Sequence, residues 1–301
     1  MTNPSPEAPL RLASWRELAL LALLTLCWGL NWPVMKLGVQ DYPPLAFRAI
    51  SMGLGLLVLY VIARIGKVAL AAPRAHWRQI MLLGIPNMVI WHVFIILAVK
   101  QLSSGRSAIL GYTMPLWAAL LAWLLYREKL SARAAFGLAC AGAGVALLLQ
   151  QEWLSLSGRP LGLLCALIAA AGWALGTILL KRDAPPLPTI CLTFWMLAQA
   201  LLCLCLGSLL FERAAWRAPD AKTWAAIWYN AVVVFGFAHV AWFRLARLLP
   251  PLASGLSVML IPMVGVFSGA WLLWETPHWQ DYAALCLMLL AMGAVLLQKK
   301  E

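Results

Sequence analysis

Residues 27–45 read CWGLNWPVMKLGVQDYPPL and residues 172–187 read GWALGTILLKRDAPPL. Laid over one another, Trp28 meets Trp173 and Lys36 meets Lys181, each pair 145 positions apart, and Pro43-Pro44-Leu45 meets Pro185-Pro186-Leu187. Further along, His92-Val93 matches His239-Val240, Lys100 matches Arg247, Ser107 matches Ser254, Pro115 matches Pro262 and Glu128 matches Glu275, all at a spacing of 147. Leu and Ala dominate the chain and would align by chance. His, Pro and Glu at a constant offset would not, so the chain reads as a duplication, with one module over 1–150 and a second over 151–301.

The composition says where such a chain lives. It is 63% hydrophobic and 11% charged, against about 25% charged in soluble domains; there is too little polar side chain to cover a water-exposed globule. The chain reads as an integral membrane protein with the lipid bilayer as its solvent. The excess of base, 23 Lys and Arg against 11 Asp and Glu, does not point to nucleic acid, because the basic residues stand singly at the ends of apolar runs. The seven cysteines lie within apolar stretches, with no C-x-x-C and no His at metal spacing. They read as small packing residues rather than disulfides or metal ligands.

A bilayer core takes about 20 helical residues to cross. Ten stretches fit: 16–39, 43–65, 77–100, 103–126, 132–150, 159–182, 188–210, 223–246, 251–274 and 279–298. With the N-terminus inside, one side collects most of the loop charge, from Arg11 and Arg16 through Arg64, Lys67, Arg74 and Arg78 to Lys181, Arg182, Lys299 and Lys300. The positive-inside rule therefore places both termini in the cytoplasm. Each module holds an odd number of spans, so the second enters the membrane from the opposite face. The expected fold is all-α, two inverted five-helix repeats around a central cavity, an arrangement suited to alternating access.

With these residues in hand, the chain resembles the drug/metabolite transporter superfamily, specifically its ten-span EamA-type members. The likeness rests on WGLNWPVMK, on PPLAFRA opening the second span, and on the blocks YTMPLWAALLAWLLYREKLSARAAFGLACAGAGVALL and MLIPMVGVFSGAWLLWETPHWQDYAALCLMLLAMGAVLL. Its aromatic content at inferred mid-membrane positions is similar to that of YddG-type exporters of aromatic amino acids. The resemblance implies efflux of amino acids or related metabolites through a cavity between the halves. Two departures stand out: Trp274 precedes Glu275 where such members commonly have Gly, and no arginine repeats Arg48.

Polar and aromatic residues inside spans mark the candidate substrate path, because lipid rejects them unless they face an interior. In the first span these are Trp28 and Asn31, beside Gly29 and the kinking Pro33. The third offers Asn87, Trp91 and His92; the fourth, Tyr112 and Thr113; the sixth, Trp173. The eighth adds His239 and Trp242, with Tyr229 and Asn230 as weaker members. For each tryptophan the plainer reading is packing, and for His92 and Asn31 packing and ligand contact weigh equally. Lys36 and Glu275 at one end, and Lys181 and Glu128 at the other, are candidate gating groups that form an outer and an inner ion pair. The plainer reading gives each Glu a helix N-terminus and lets each Lys snorkel. FGLACAGAG in the fifth span serves internal packing, and a monomer is expected.

No carboxylate falls at the centre of any span, so the simplest proton-antiport scheme lacks its main residue. Phosphate-binding glycine loops are absent and no cofactor is expected. Against the exporter reading stand a broad-specificity drug or metabolite permease, an uptake carrier and, remotely, an intramembrane enzyme. SGLS at 254–257 places serines in a span, but no histidine at helical spacing supports hydrolysis.

Overall fold

The computed structural model describes residues 15–127, 131–154, 159–238, 241 and 251–296. Every regular element among them is helical. The order is α1 (Trp15–Val39), α2 (Pro44–Ile65), α3 (Arg74–Gln101), α4 (Ser104–Tyr126) and α5 (Ala132–Leu154), followed by α6 (Pro160–Asp183) and α7 (Thr189–Phe211). Then come α8 (Ala221–Trp228, running on as Tyr229–Ala238), α9 (Pro251–Leu273) and α10 (Trp279–Leu296). Among the described residues, α1, α2, α3, α4, α6 and α7 are each long and apolar enough to cross a bilayer unaided.

Local sequence explains where the helices begin. Prolines at the first helical position start α2 and α6, where the missing N–H costs nothing and φ is already helical. Ser103 and Asp220 cap α4 and α8, accepting from the backbone N–H of Arg106 (3.3 Å) and Thr223 (2.7 Å).

The interruptions are duplicated too. The third helix of each half relaxes into a π-helical segment, Ile85–Ile90 in α3 and Tyr229–Ala238 in α8. The fourth carries a proline, Pro115 after a break at Tyr112–Thr113 in α4 and Pro262 inside α9. Helices α4 and α9 are each followed by a non-glycine residue at left-handed φ, Arg127 (53°) and Trp274 (54°). These two positions are 147 apart. The left-handed turn bears on position 274, where the resemblance would put Gly: Gly adopts it freely, whereas a side chain there costs about 1 kcal/mol.

The most extensive helix–helix packing joins residues before 155 to residues after 159. It falls into symmetric pairs: α1 on α9 mirrors α4 on α6, α2 on α8 mirrors α3 on α7, and α3 on α6 mirrors α1 on α8. The α2–α7, α4–α9 and α5–α10 contacts each pair a helix with its own equivalent. The halves thus interleave into one core, with Phe47, Met52, Ile95, Leu110, Leu197 and Phe235 deeply buried. Outward-facing Leu57, Val61, Leu164, Leu202, Leu206 and Phe267 present an apolar exterior, as lipid requires.

Close approach depends on glycine at two crossings. Gly29 of α1 lies against Val264 of α9, and a Cβ on Gly55 of α2 would sit 2.6 Å from Cβ of Phe235 in α8. Gly142 of α5, by contrast, faces open space. Gly55→Ala is expected to cost about 1–3 kcal/mol through overpacking and to lower the thermal unfolding midpoint in detergent, while Gly142→Ala leaves it unchanged or raises it. Equal midpoints for the two variants would show that the α2–α8 crossing does not need the missing side chain.

Candidate functional site

The polar interior is assembled where α1, α2, α3 and α8 meet. Arg48 of α2 is only 2% exposed. Its Nη1 donates to Oδ1 of Asn230 in α8 (3.1 Å), its Nη2 points at Sδ of Met35 in α1, and its guanidinium carbon stands 5.9 Å from the centre of the Phe235 ring. Among the described residues its Nε has no hydrogen-bond partner and no carboxylate pairs with it. Asn230 is itself fully buried and held by Nδ2 donating to the Ala226 carbonyl (3.0 Å).

Asn31 lies one helical turn from Met35 on the same face of α1, 8% exposed, with its carbonyl oxygen Oδ1 unpartnered among the described residues. Close to it in the chain, Cys27 accepts at its carbonyl from the Tyr229 hydroxyl of α8 (2.8 Å). His92 of α3 is buried, with its ring 5.5 Å from that of Phe235. Phe235 is therefore the ring that both the guanidinium and the imidazole approach.

Two aromatic pairs flank this cluster. Trp91, where the π-segment of α3 ends, meets Trp173 of α6 at 5.2 Å between ring centres. Asn87, buried one turn earlier, packs against Gly176 of α6. On the other side of α1, Trp32 meets Tyr112 of α4 edge-on at 6.2 Å, and Thr113 spends its hydroxyl on the Leu110 carbonyl (2.6 Å). Trp28 is half-buried against the core. The structure thus joins Trp91 to Trp173 and sets His92 against Phe235, the ring that Arg48 also approaches, while Thr113 bonds back into α4 at its break and Tyr112 meets Trp32. His239, Trp242 and Glu128 lie outside the described residues.

The end of the bundle near Lys36 is stitched by helix termini. Nζ of Lys36 donates to the carbonyls of Val99 and Lys100 (both 3.1 Å) and Leu102 (2.8 Å). Lys100 answers with Nζ on the carbonyls of Val39 (2.6 Å) and Gln40 (2.9 Å). Each lysine thereby closes the other's helix. Glu275 accepts from N–H and Oγ of Ser104 (2.8 and 2.7 Å), capping α4 from the opposite half, and Glu212 does the same for Leu45 and Ala46 at the start of α2 (2.9 and 2.8 Å). Arg106 pairs with Asp281 at 2.6 Å. The expected Lys36–Glu275 ion pair is not formed: both side chains are taken up by backbone on either side of Leu102–Ser104. At the other end Lys181 is exposed.

A cavity of about 260 Å³ lies at the Lys36 end beside Arg106, Glu275 and His278, and an apolar groove of about 600 Å³ runs between α1 and α9 past Thr25, Val264 and Trp271. Among the described residues no cluster of His, Cys, Asp and Glu could hold a metal.

Sequence reasoning passed over Arg48, Phe235, Glu212 and Asp281 as functional residues. For Arg48 a signal existed: a lone arginine one turn into an apolar span, with no counterpart in the other half.

The EamA-like transporter family model matches this chain twice, over residues 15–150 and 160–297. The uncharacterized transporter YoaV of Bacillus subtilis is 26% identical, covering 83% of this chain and 85% of that protein. The uncharacterized inner membrane transporter YedA of Escherichia coli K12 is 26% identical over 93% of this chain and 90% of its own. A probable amino-acid metabolite efflux pump of Salmonella typhimurium is 26% identical over 85% and 87%. One solved crystal structure superposes with a TM-score of 0.64 at 20% identity, covering 94% of this chain and 98% of that one, a likeness of fold. The chain belongs to the EamA-like transporter family.

Proposed function

We propose that this transporter exports amino acids, aromatic ones among them, or closely related small metabolites by alternating access between its two halves. The observation that carries the reading is the buried interior of α1, α2, α3, α6 and α8. There Arg48, Asn31, Asn87 and His92 stand beside Trp91, Trp173 and Phe235, a combination of hydrogen-bonding and stacking groups that lipid alone would not favour. The Salmonella typhimurium relative named as a probable amino-acid metabolite efflux pump supports the same class of cargo. The monomer is the proposed working unit.

With both termini in the cytoplasm, as the loop charges favour, the Lys36 end faces outward and this state is closed to the outside. Release of cargo then requires Lys36 and Lys100 to leave the carbonyls they hold and Glu275 to leave Ser104. The repeat equivalent of Lys36 is Lys181, placed to serve the inner end when the halves exchange shapes, with Glu128 as the equivalent of Glu275.

Membrane vesicles loaded with labelled phenylalanine or alanine test the cargo. Phenylalanine is expected to leave several-fold faster, and Trp173→Ala is expected to remove most of that difference while protein remains in the membrane. Equal rates for the two amino acids would refute the aromatic preference, and no efflux of either would refute the amino-acid reading. The outer closure has its own test. Since Lys36 and Glu275 hold backbone rather than each other, the exchanged double variant Lys36→Glu with Glu275→Lys is expected to transport no better than the poorer single variant. Recovery to the wild-type rate would make the two charges partners.

A further inference from the structure

We propose that Arg48 is the carboxylate anchor of the transported molecule and that Oδ1 of Asn31 receives its ammonium group, so that the site reads the zwitterionic head of an α-amino acid. The inference rests on the amino-acid reading above and assigns its chemistry to residues.

A guanidinium stays protonated under all ordinary conditions, and burying one without a counterion is among the least favourable placements in a protein. Arg48 is 98% shielded and receives only the dipole of Asn230, the sulfur of Met35 and the face of Phe235. Of the acids at this end, Glu212 is committed to the start of α2, Glu275 to the start of α4, Asp220 to the start of α8 and Asp281 to Arg106, while Asp41 is exposed. A buried charge with no carboxylate partner among the described residues is a charge that a ligand can complete, and a planar guanidinium whose Nε–H has no partner among them matches a carboxylate.

The second observation is independent and of opposite sign. Asn31 offers an acceptor with nothing to accept. It projects from the face of α1 that carries Met35 four residues, about 6 Å, along the axis, and Met35 is what Nη2 of Arg48 meets, so an orphan donor and an orphan acceptor stand within the span of a small molecule. An α-amino acid carries the two complementary groups on adjacent bonds. Beside them, Phe235 and His92, with Met35, form an apolar and aromatic wall for the side chain. The site lies directly beneath the Lys36–Lys100 closure, since Met35 and Lys36 are neighbours in α1, so filling it bears on the helix that the closure holds.

The test is competition and transport in proteoliposomes with four probes: L-phenylalanine, L-phenylalaninamide without the carboxylate, 3-phenylpropionate without the ammonium, and phenethylamine. Wild type is expected to favour phenylalanine about tenfold or more over each of the others, because a site built to bond a group rejects the analogue lacking it. This arm needs no variant. Arg48→Gln is expected to lose phenylalanine transport about tenfold or more while its transport of the amide falls little; Arg48→Lys should regain part of the loss. Asn31→Ala should narrow the gap between phenylalanine and 3-phenylpropionate. Phenylalanine carried equally by wild type and Arg48→Gln overturns the anchor and leaves amino-acid export standing. Phenylalanine and its amide carried equally by wild type overturns it as well. If 3-phenylpropionate is carried in an Arg48-dependent way and phenylalanine is not, the anion anchor holds, whereas the role of Asn31 and the amino-acid reading both fall.

Discussion

Inside a bilayer no water is available to the backbone groups that a helix leaves unpaired at its ends. That constraint organises this protein more than any single apolar contact. Helices here end within a few residues of one another at the Lys36 end, and there each orphaned terminus finds a side chain from elsewhere: Glu275 for α4, Glu212 for α2, Lys36 for α3 and Lys100 for α1. Two of these, Glu275 and Glu212, come from the opposite half. The halves are thus joined by their backbones as well as by the apolar core, and a rearrangement of one half must trade these bonds for others.

The duplication determines where such a trade is possible. Helices of the first half pack on those of the second in mirrored pairs, so a shape adopted by one half is open to the other. The mirrored irregularities matter for the same reason. The π-segments of α3 and α8 and the prolines of α4 and α9 loosen the regular helix bond pattern at equivalent depths. They also face the polar interior: Asn87 and Asn230 both sit in these segments, one against Gly176 and the other on Arg48.

Much of this was legible in the residues. Where the described residues cover them, the span limits differ from the expected ones by a few positions, because proline at helix starts and charge at helix ends are local signals; the expected ends at 246 and 298 lie outside the described residues. The repeat was legible because Trp, His, Pro and Glu are rare enough to align. Partnership was not. Arg48 meets Met35, 13 positions away, and Asn230, 182 positions away, and nothing in the order of residues says that α1, α2 and α8 converge. Lys36 and Glu275 looked like a pair because opposite charges attract. Helix ends satisfied both instead, since an unpaired buried carbonyl or N–H is the stronger demand. Tyr112 and Thr113 read as ligand groups; what the order of residues did not show is that Thr113 bonds back to Leu110 at the break before Pro115 and that Tyr112 meets Trp32. Trp274 looked like a departure from the resemblance, and its backbone proves to be left-handed, a conformation that glycine adopts freely.

The central claim is that the two halves move against each other at the Lys36 end during transport. The most direct measurement is the distance between spin labels placed at Asp41, after α1, and Thr276, after α9, in protein reconstituted in lipid and shown to transport. The account predicts one short distance without cargo and a second, longer population when a transported amino acid is added. A single unchanged distance in protein that is transporting would contradict it.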